Sequence, residues 1–179
     1  MKRIFLVIAI IVIAALSVNA QKIYSTKMGK ISFFSNAPLE DIEARNSEVE
    51  SKLAQNGQVI FVLLMKGFQF KNQLMEDHFN ENYLESSKYP KSDFKGIITN
   101  IKDINFSKDG IYPAHVKGAL TIHGVTKGVE TDGIVEVRGR KVTARTKFNV
   151  ALKDYSISGS QIGKKIAETV AVTVETDYE

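Results

Sequence analysis

The stretch GALTIHGVTKGVE, Gly118 to Glu130, decides how the chain is read. It gathers a histidine, two threonines and several glycines, so it is either a polar patch with chemistry or the tip of a hairpin. The flanks settle the choice. Before it, Tyr112, Ala114, Val116, Gly118, Leu120 and Ile122 alternate with Pro113, His115, Lys117, Ala119, Thr121 and His123. After it, Val129, Thr131, Gly133, Val135 and Val137 alternate with Glu130, Asp132, Glu136 and Arg138. A period of two on both sides is the mark of strands with one buried face. Gly124 accepts a positive φ, and the Thr126 hydroxyl has partners within a turn. The stretch from His123 to Gly128 is therefore the tip of a hairpin.

The same alternation runs through everything after Pro90. Val142, Ala144, Thr146, Phe148, Val150 and Leu152 oppose Lys141, Thr143, Arg145, Lys147 and Lys153, and Val170, Val172 and Val174 form a last strand. Gly110, Gly139-Arg140 and the span Gly159 to Gly163 separate the runs with turn chemistry. Upstream, Lys30–Asn36 reads as an opening strand and Ser47–Leu53 as another. The run from Gln58 to Phe70 is apolar on both faces, as in a strand covered on both sides. Between Gln73 and Ser87 the period changes to that of a helix, with Met75, Phe79 and Tyr83 on one stripe, Asn72 as N-cap and Pro90 beyond the end. That helix is expected to cover the outer or lower face of the preceding strand.

The N-terminus stands apart. Lys2 and Arg3 precede an apolar run from Ile4 to Leu16, and Val18-Asn19-Ala20 supplies small residues before Gln21. This is the build of a secretory signal over residues 1–20, shorter than the roughly 20 apolar residues that span a bilayer. The expected mature chain, 21–179, has no transmembrane segment and is periplasmic or secreted. It has no cysteine, so a packed core rather than disulfides must stabilise it. The formal charge of +4 falls by two, to +2, when Lys2 and Arg3 leave. With no basic block, a nucleic-acid partner is not indicated.

About eight antiparallel strands with one apolar face must close on themselves or pack on a second sheet. The strand ending at His123 would reach roughly 40 Å at about 3.3 Å per residue, long for a sandwich and suited to a tilted barrel. The fold class read from the sequence is thus all-β, an antiparallel eight-stranded lipocalin-like barrel with one amphipathic helix. Its inward faces mix Ala114, Gly118, Gly133 and Ala144 with aliphatics and carry few large aromatics. That composition suits either a tall apolar hollow or a collapsed core. In a hollow, each guest CH₂ buried contributes about 0.8 kcal/mol, so a long hydrocarbon binds without a charged anchor.

Chemistry finds little support. His115 and His123 lie eight residues apart on one strand, roughly 26 Å, too far to share a metal or a proton. His78 belongs to the helix. No cysteine nucleophile, G-x-S-x-G elbow or H-E-x-x-H spacing is present. No catalytic residue, metal ligand or cofactor is assigned, and the chain is not read as an enzyme.

The block KGALTIHGVTKGV resembles the hairpin signature of YceI-like proteins, lipocalin-like barrels that bind polyisoprenoid or related lipids. Gly118, Leu120, Thr121, Gly124, Val125, Thr126, Lys127 and Val129 match it, while Gly128 stands where that family commonly has proline. HFNENYLESSKYPKSDFKG is similar to the family's helix-to-strand passage at Phe79, Tyr83, Ser86, Tyr89, Pro90, Phe94 and Gly96, and ISFFSNAPLEDIEARN to an opening strand of exported members. The resemblance implies a long-chain isoprenoid or similar lipid as ligand and supplies no catalytic residue. Combined with the alternation, it makes Tyr112, Ala114, Val116, Leu120, Ile122, Val135, Val137, Val142, Phe148 and Val150 the expected lipid contacts. A homodimer is compatible with such a barrel. The competing reading is an envelope interaction module with a filled core, whose binding face would be the outer side of Gln58–Phe70 if the helix leaves it bare.

Overall fold

The computed structural model describes residues 21–178. The expected signal segment, 1–20, lies outside the described residues. Nine strands form one antiparallel sheet: β1 (Ile23–Asn36), β2 (Asp41–Ala54), β3 (Gln58–Leu64), β4 (Gln69–Phe70), β5 (Lys91–Ile98), β6 (Gly110–Ile122), β7 (Val125–Arg138), β8 (Lys141–Ala151) and β9 (Thr169–Tyr178). Neighbours run β1-β9-β8-β7-β6-β5-β3-β2, and β1 also pairs with β2, which closes an eight-stranded barrel. The two-residue β4 adds to β2 alone, opposite Ala44 and Arg45.

The deciding hairpin holds its register without a break, from Gly110 opposite Val137 to Ile122 opposite Val125. Its turn is tighter than the sequence suggests. His123 and Gly124 alone make it, with φ of 52° and 74°, the paired positive φ values of a two-residue hairpin whose twist matches its strands. Thr126, Lys127 and Gly128 already belong to β7. The Thr126 hydroxyl meets that of Thr121 at 3.0 Å across the two strands.

Four elements differ from the sequence reading. β1 and β2 begin seven and six residues earlier than read, because their outward residues are so polar that inward ones such as Tyr24, Ala44 and Asn46 stand isolated in the pattern. The long apolar run divides: β3 ends at Leu64, a single 3₁₀ turn follows over Met65–Gly67, and β4 resumes. Asn46, 1% exposed, holds that break. Its Nδ2 donates to the Leu64 carbonyl at 3.0 Å and its Oδ1 accepts from the Glu48 N–H at 2.9 Å. Lastly, the helix α1 (Gln73–His78), capped as expected by Asn72 through the Leu74 N–H, is short and widens into a π turn over Phe79–Tyr83. It lies across one end of the barrel, not over the outer face of β3, and Ile60 and Leu64 on that face stay exposed.

Candidate functional site: an apolar lumen with one floor and one mouth

The barrel is filled at one end and hollow at the other. The floor is packed by Tyr24, Leu53, Ile98, Ile104, Val137, Val142 and Tyr178, all nearly inaccessible. Tyr24 stacks on Phe106 with ring centroids 5.3 Å apart. The Tyr178 hydroxyl, wholly buried, reaches the Ser51 hydroxyl at 2.8 Å. Burial pushes the Tyr178 phenol above its ordinary value, since ionising it would place an unpaired charge in the floor.

Above the floor the side chains thin out. Gly96 of β5 lies directly opposite Gly118 of β6, and the Phe94 ring lies over both. A Cβ at either position would stand 2.5 Å from its Cζ. Val116, Val129, Ala144, Phe148 and Val172 point inward yet remain half-buried, as residues do when they face a void. The void measures about 580 Å³, in the range of small-molecule sites. Its wall polar groups are satisfied within the wall: the Ser92 hydroxyl donates to the Thr121 carbonyl at 2.7 Å, and the Thr146 hydroxyl to the Asp132 carbonyl at 2.7 Å. What the wall offers a guest is hydrocarbon.

The mouth is built from three segments. α1 and its π turn bring Leu74, Met75, His78, Phe79 and Tyr83 to it. Phe79 packs against Phe33, Phe68 and Phe70, with centroid distances of 5.7, 5.6 and 5.1 Å. The loop between β8 and β9 contributes Ile157, Gln161, Lys165 and Ile166, and the β1–β2 turn contributes Glu40. That loop is tied to β1 and the turn by the Leu39 N–H on the Lys164 carbonyl at 3.2 Å and the Ala167 N–H on the Ser35 hydroxyl at 2.9 Å. Glu40, His78, Gln161 and Lys165 thus put polar groups on the rim of an otherwise apolar opening.

Of the residues expected inside, Ala114, Val116, Leu120, Ile122, Val135, Phe148 and Val150 border the void. Tyr112, Val137 and Val142 point inward but pack in or against the floor, away from the void. The Tyr112 hydroxyl donates to the Lys108 carbonyl at 2.9 Å. Alternation reports which side of the wall a residue faces and is blind to its height. The void is also lined by Ile31, Phe33, Phe61 and Phe79. Their signals were present in the opening strand, in the run after Gln58 and in the helical stripe, but nothing local ties these to the later hairpins.

The profile of the YceI-like domain family matches residues 19–178. The chain belongs to the YceI-like family. Its fold is that of solved members. A polyisoprenoid binding domain from Saccharophagus degradans, implicated in plant cell wall breakdown, superposes with a TM-score of 0.76 at 14% identity, over 89% of this chain and 98% of that one. BcnA of Burkholderia cenocepacia gives 0.67 at 17%, over 83% and 95%. The Campylobacter jejuni YCEI protein gives 0.56 at 16%, over 73% and 80%. No curated protein sequence matches the chain significantly.

The histidines of this YceI-like barrel lie apart from one another. His115 pairs with Asp132 on the outer wall. His123, expected on the same outward face, is largely covered at the hairpin tip. Its Nε2 lies 2.8 Å from a Glu85 carboxylate oxygen, its Nδ1 3.2 Å from the Tyr155 carbonyl, and its ring meets Tyr89 edge-on at 4.6 Å. Glu85, His123 and Ser156 are the described non-glycine residues with positive φ, and all three meet at this junction, which anchors the mouth segments to the β6–β7 turn. Among the described residues no group of three or more His, Cys, Asp or Glu is placed to hold a metal, and no helix is long and apolar enough to cross a membrane.

Proposed function

We propose that this protein is an exported, non-enzymatic carrier or buffer that holds one long-chain lipid of the isoprenoid class in the barrel lumen, tail towards the floor and polar end at the rim. The observation that carries the reading is the apolar void of about 580 Å³, open at a mouth ringed by Phe33, Phe70 and Phe79. A related fold described as a polyisoprenoid binding domain supports the same ligand class. Binding follows from burial: at about 0.8 kcal/mol per CH₂, five carbons contribute up to roughly 4 kcal/mol before ordering costs. No cofactor is needed for this role. Residues 1–20, with Lys2 and Arg3 before the apolar run, support export through a cleaved leader and a periplasmic or secreted location.

Organic extraction of the purified protein followed by mass spectrometry tests the proposal directly. A prenyl or similar long-chain lipid should be recovered, or taken up when supplied. Leu120→Arg, on the lumen wall, should abolish uptake, and Thr121→Arg, the next residue on the outer face, should not. Repeated absence of lipid with no uptake, or equal effects of the two substitutions, would refute the carrier.

A further inference from the structure

Each of the three segments that frame the mouth puts apolar side chains on its rim. The β1–β2 turn and the start of β2 offer Leu39 and Ile42, β4 and α1 offer Phe70, Leu74 and Met75, and the loop between β8 and β9 offers Ile166. Leu39 is 70% and Leu74 59% exposed, and the other four are half-buried. All but Leu39 also line the void. Leu39 lies just outside it, where its N–H donates to the Lys164 carbonyl at 3.2 Å. The apolar lining therefore runs out of the lumen and over its rim. Lys71, Lys164 and Lys165 stand among Glu40, Asp41, Glu76 and Asp77 on the same segments, so the rim carries both signs of charge.

From this collar we infer that the mouth docks on a lipid bilayer, with Leu39 and Leu74 entering the edge of its hydrocarbon, and that guests pass directly between bilayer and lumen. The passage of guests rests on the carrier reading above; the docking does not. A long-chain lipid leaving through water would expose its whole tail, at a cost that grows with every CH₂. A mouth seated on a bilayer joins two apolar phases, and the tail crosses without meeting water. Exposed apolar patches mark protein or membrane contacts. This one is a ring around an opening, so a protein seated on it would stopper the lumen, whereas bilayer hydrocarbon is continuous with it. The mixed charge around the ring points to contact through hydrocarbon rather than through attraction to anionic headgroups.

The chain has no tryptophan, so a single introduced one reports its own surroundings. In the guest-free protein, Leu39→Trp should shift its emission to the blue when phosphatidylcholine vesicles are added, with little effect of salt. Phosphatidylcholine brominated on its acyl chains should quench it. Ile111→Trp, at the floor end of β6 where the parent residue is 62% exposed, should do neither. A second arm follows radiolabelled prenyl alcohol carried between phosphatidylcholine vesicles. The transfer rate should rise in proportion to vesicle concentration, as contact requires. Leu39→Asp should lower that rate roughly tenfold or more, while the amount of alcohol held at equilibrium stays that of the parent. An unshifted Leu39→Trp, which would leave the collar to a protein partner, overturns the proposal. So does an equal shift from Ile111→Trp, or a transfer rate indifferent to vesicle concentration or to Leu39→Asp. A shifted Leu39→Trp in a protein that takes up no prenyl alcohol defeats the carrier, and with it the passage of guests, but not the docking. Uptake without the shift defeats the docking alone.

Discussion

Ala144→Phe offers the sharpest measure of the lumen. Ala144 faces the void just above the floor, opposite Val135 on β7 and Thr176 on β9. A phenylalanine there adds an aromatic ring to the deep end of a void of about 580 Å³. It takes the place of about six guest carbons, at about 0.8 kcal/mol each. The loss for a guest that reaches the floor is up to about 5 kcal/mol, a factor of roughly 10³ to 10⁴ in Kd. A guest shorter by about six carbons should bind the variant and the parent alike, since the part of the lumen it uses is unchanged. Because the ring fills empty space, the unliganded variant should melt no lower than the parent, which separates lost room from lost fold. Lys147→Phe, on the outer face of the same strand, is the control and should leave binding unchanged. Titration calorimetry with prenyl alcohols of graded length reads the series, and a negative heat-capacity change should accompany the parent's binding. Undiminished affinity of Ala144→Phe for the longest guest would refute a lumen that fills from the floor.

Four further substitutions probe the frame that keeps the lumen open. Asn46→Ala leaves the Leu64 carbonyl and the Glu48 N–H without the side-chain partners they have at 3.0 and 2.9 Å, and denaturant unfolding should show a loss of about 2–4 kcal/mol. Gly118→Val places a Cβ 2.5 Å from both the Lys95 carbonyl oxygen and the Phe94 ring, so it should destabilise by at least about 3 kcal/mol or prevent folding. Gly128→Val, with nothing within 4 Å of its added Cβ, should match the parent. Tyr178→Phe tests linkage at high pH. The folded protein holds the Tyr178 proton beyond the ordinary 10.0 because of burial, so the unfolded chain releases it first. The associated stability is complete below about pH 10 and is lost as pH rises through the folded value. Melting curves at rising alkaline pH should fall less steeply for Tyr178→Phe, and identical slopes would remove Tyr178 from the account. Tyr155, raised by burial and then by Asp154, acts in the same direction and leaves a residual slope.

The part of the fold legible in the sequence is the part made by neighbours in the chain. β6, β7 and β8 are joined by short turns, so their partners are local and their alternation is unbroken. β1 and β2 are legible only in part for a physical reason. They carry bulges around Gly29, which shift the period, and their outward faces are rich in Lys, Glu, Ser and Asn. The break after β3 was hidden because Met65 and Phe68 stay buried across it, so the composition does not change when the chain leaves the strand. The helix cap at Asn72 was legible because a cap is a contact between residues two apart. Where the helix lies was not, because its stripe faces Phe33 and Phe70, which no local pattern connects to Phe79.

The same limit explains the candidate site. Whether a barrel is hollow depends on which inward residues share a height, and height is set by register between strands distant in sequence. Tyr24 and Tyr178 stand near opposite ends of the described chain, and Ser51 meets Tyr178 across 127 positions. They form the floor only because β1 pairs with both β2 and β9. That closure also sets the direction of traffic. With the floor filled by Tyr24, Phe106, Val137, Val142 and Tyr178, a carrier of the proposed kind would load and unload through the mouth, past α1 and the loop between β8 and β9. The clamp of His123 on Glu85 and the Tyr155 carbonyl fastens the chain just beyond α1 and just before that loop to one rigid hairpin. Among the described residues the lumen therefore opens past segments held at the β6–β7 turn, so substitutions in the wall should act on the affinity of a guest while those at the junction should act on its access.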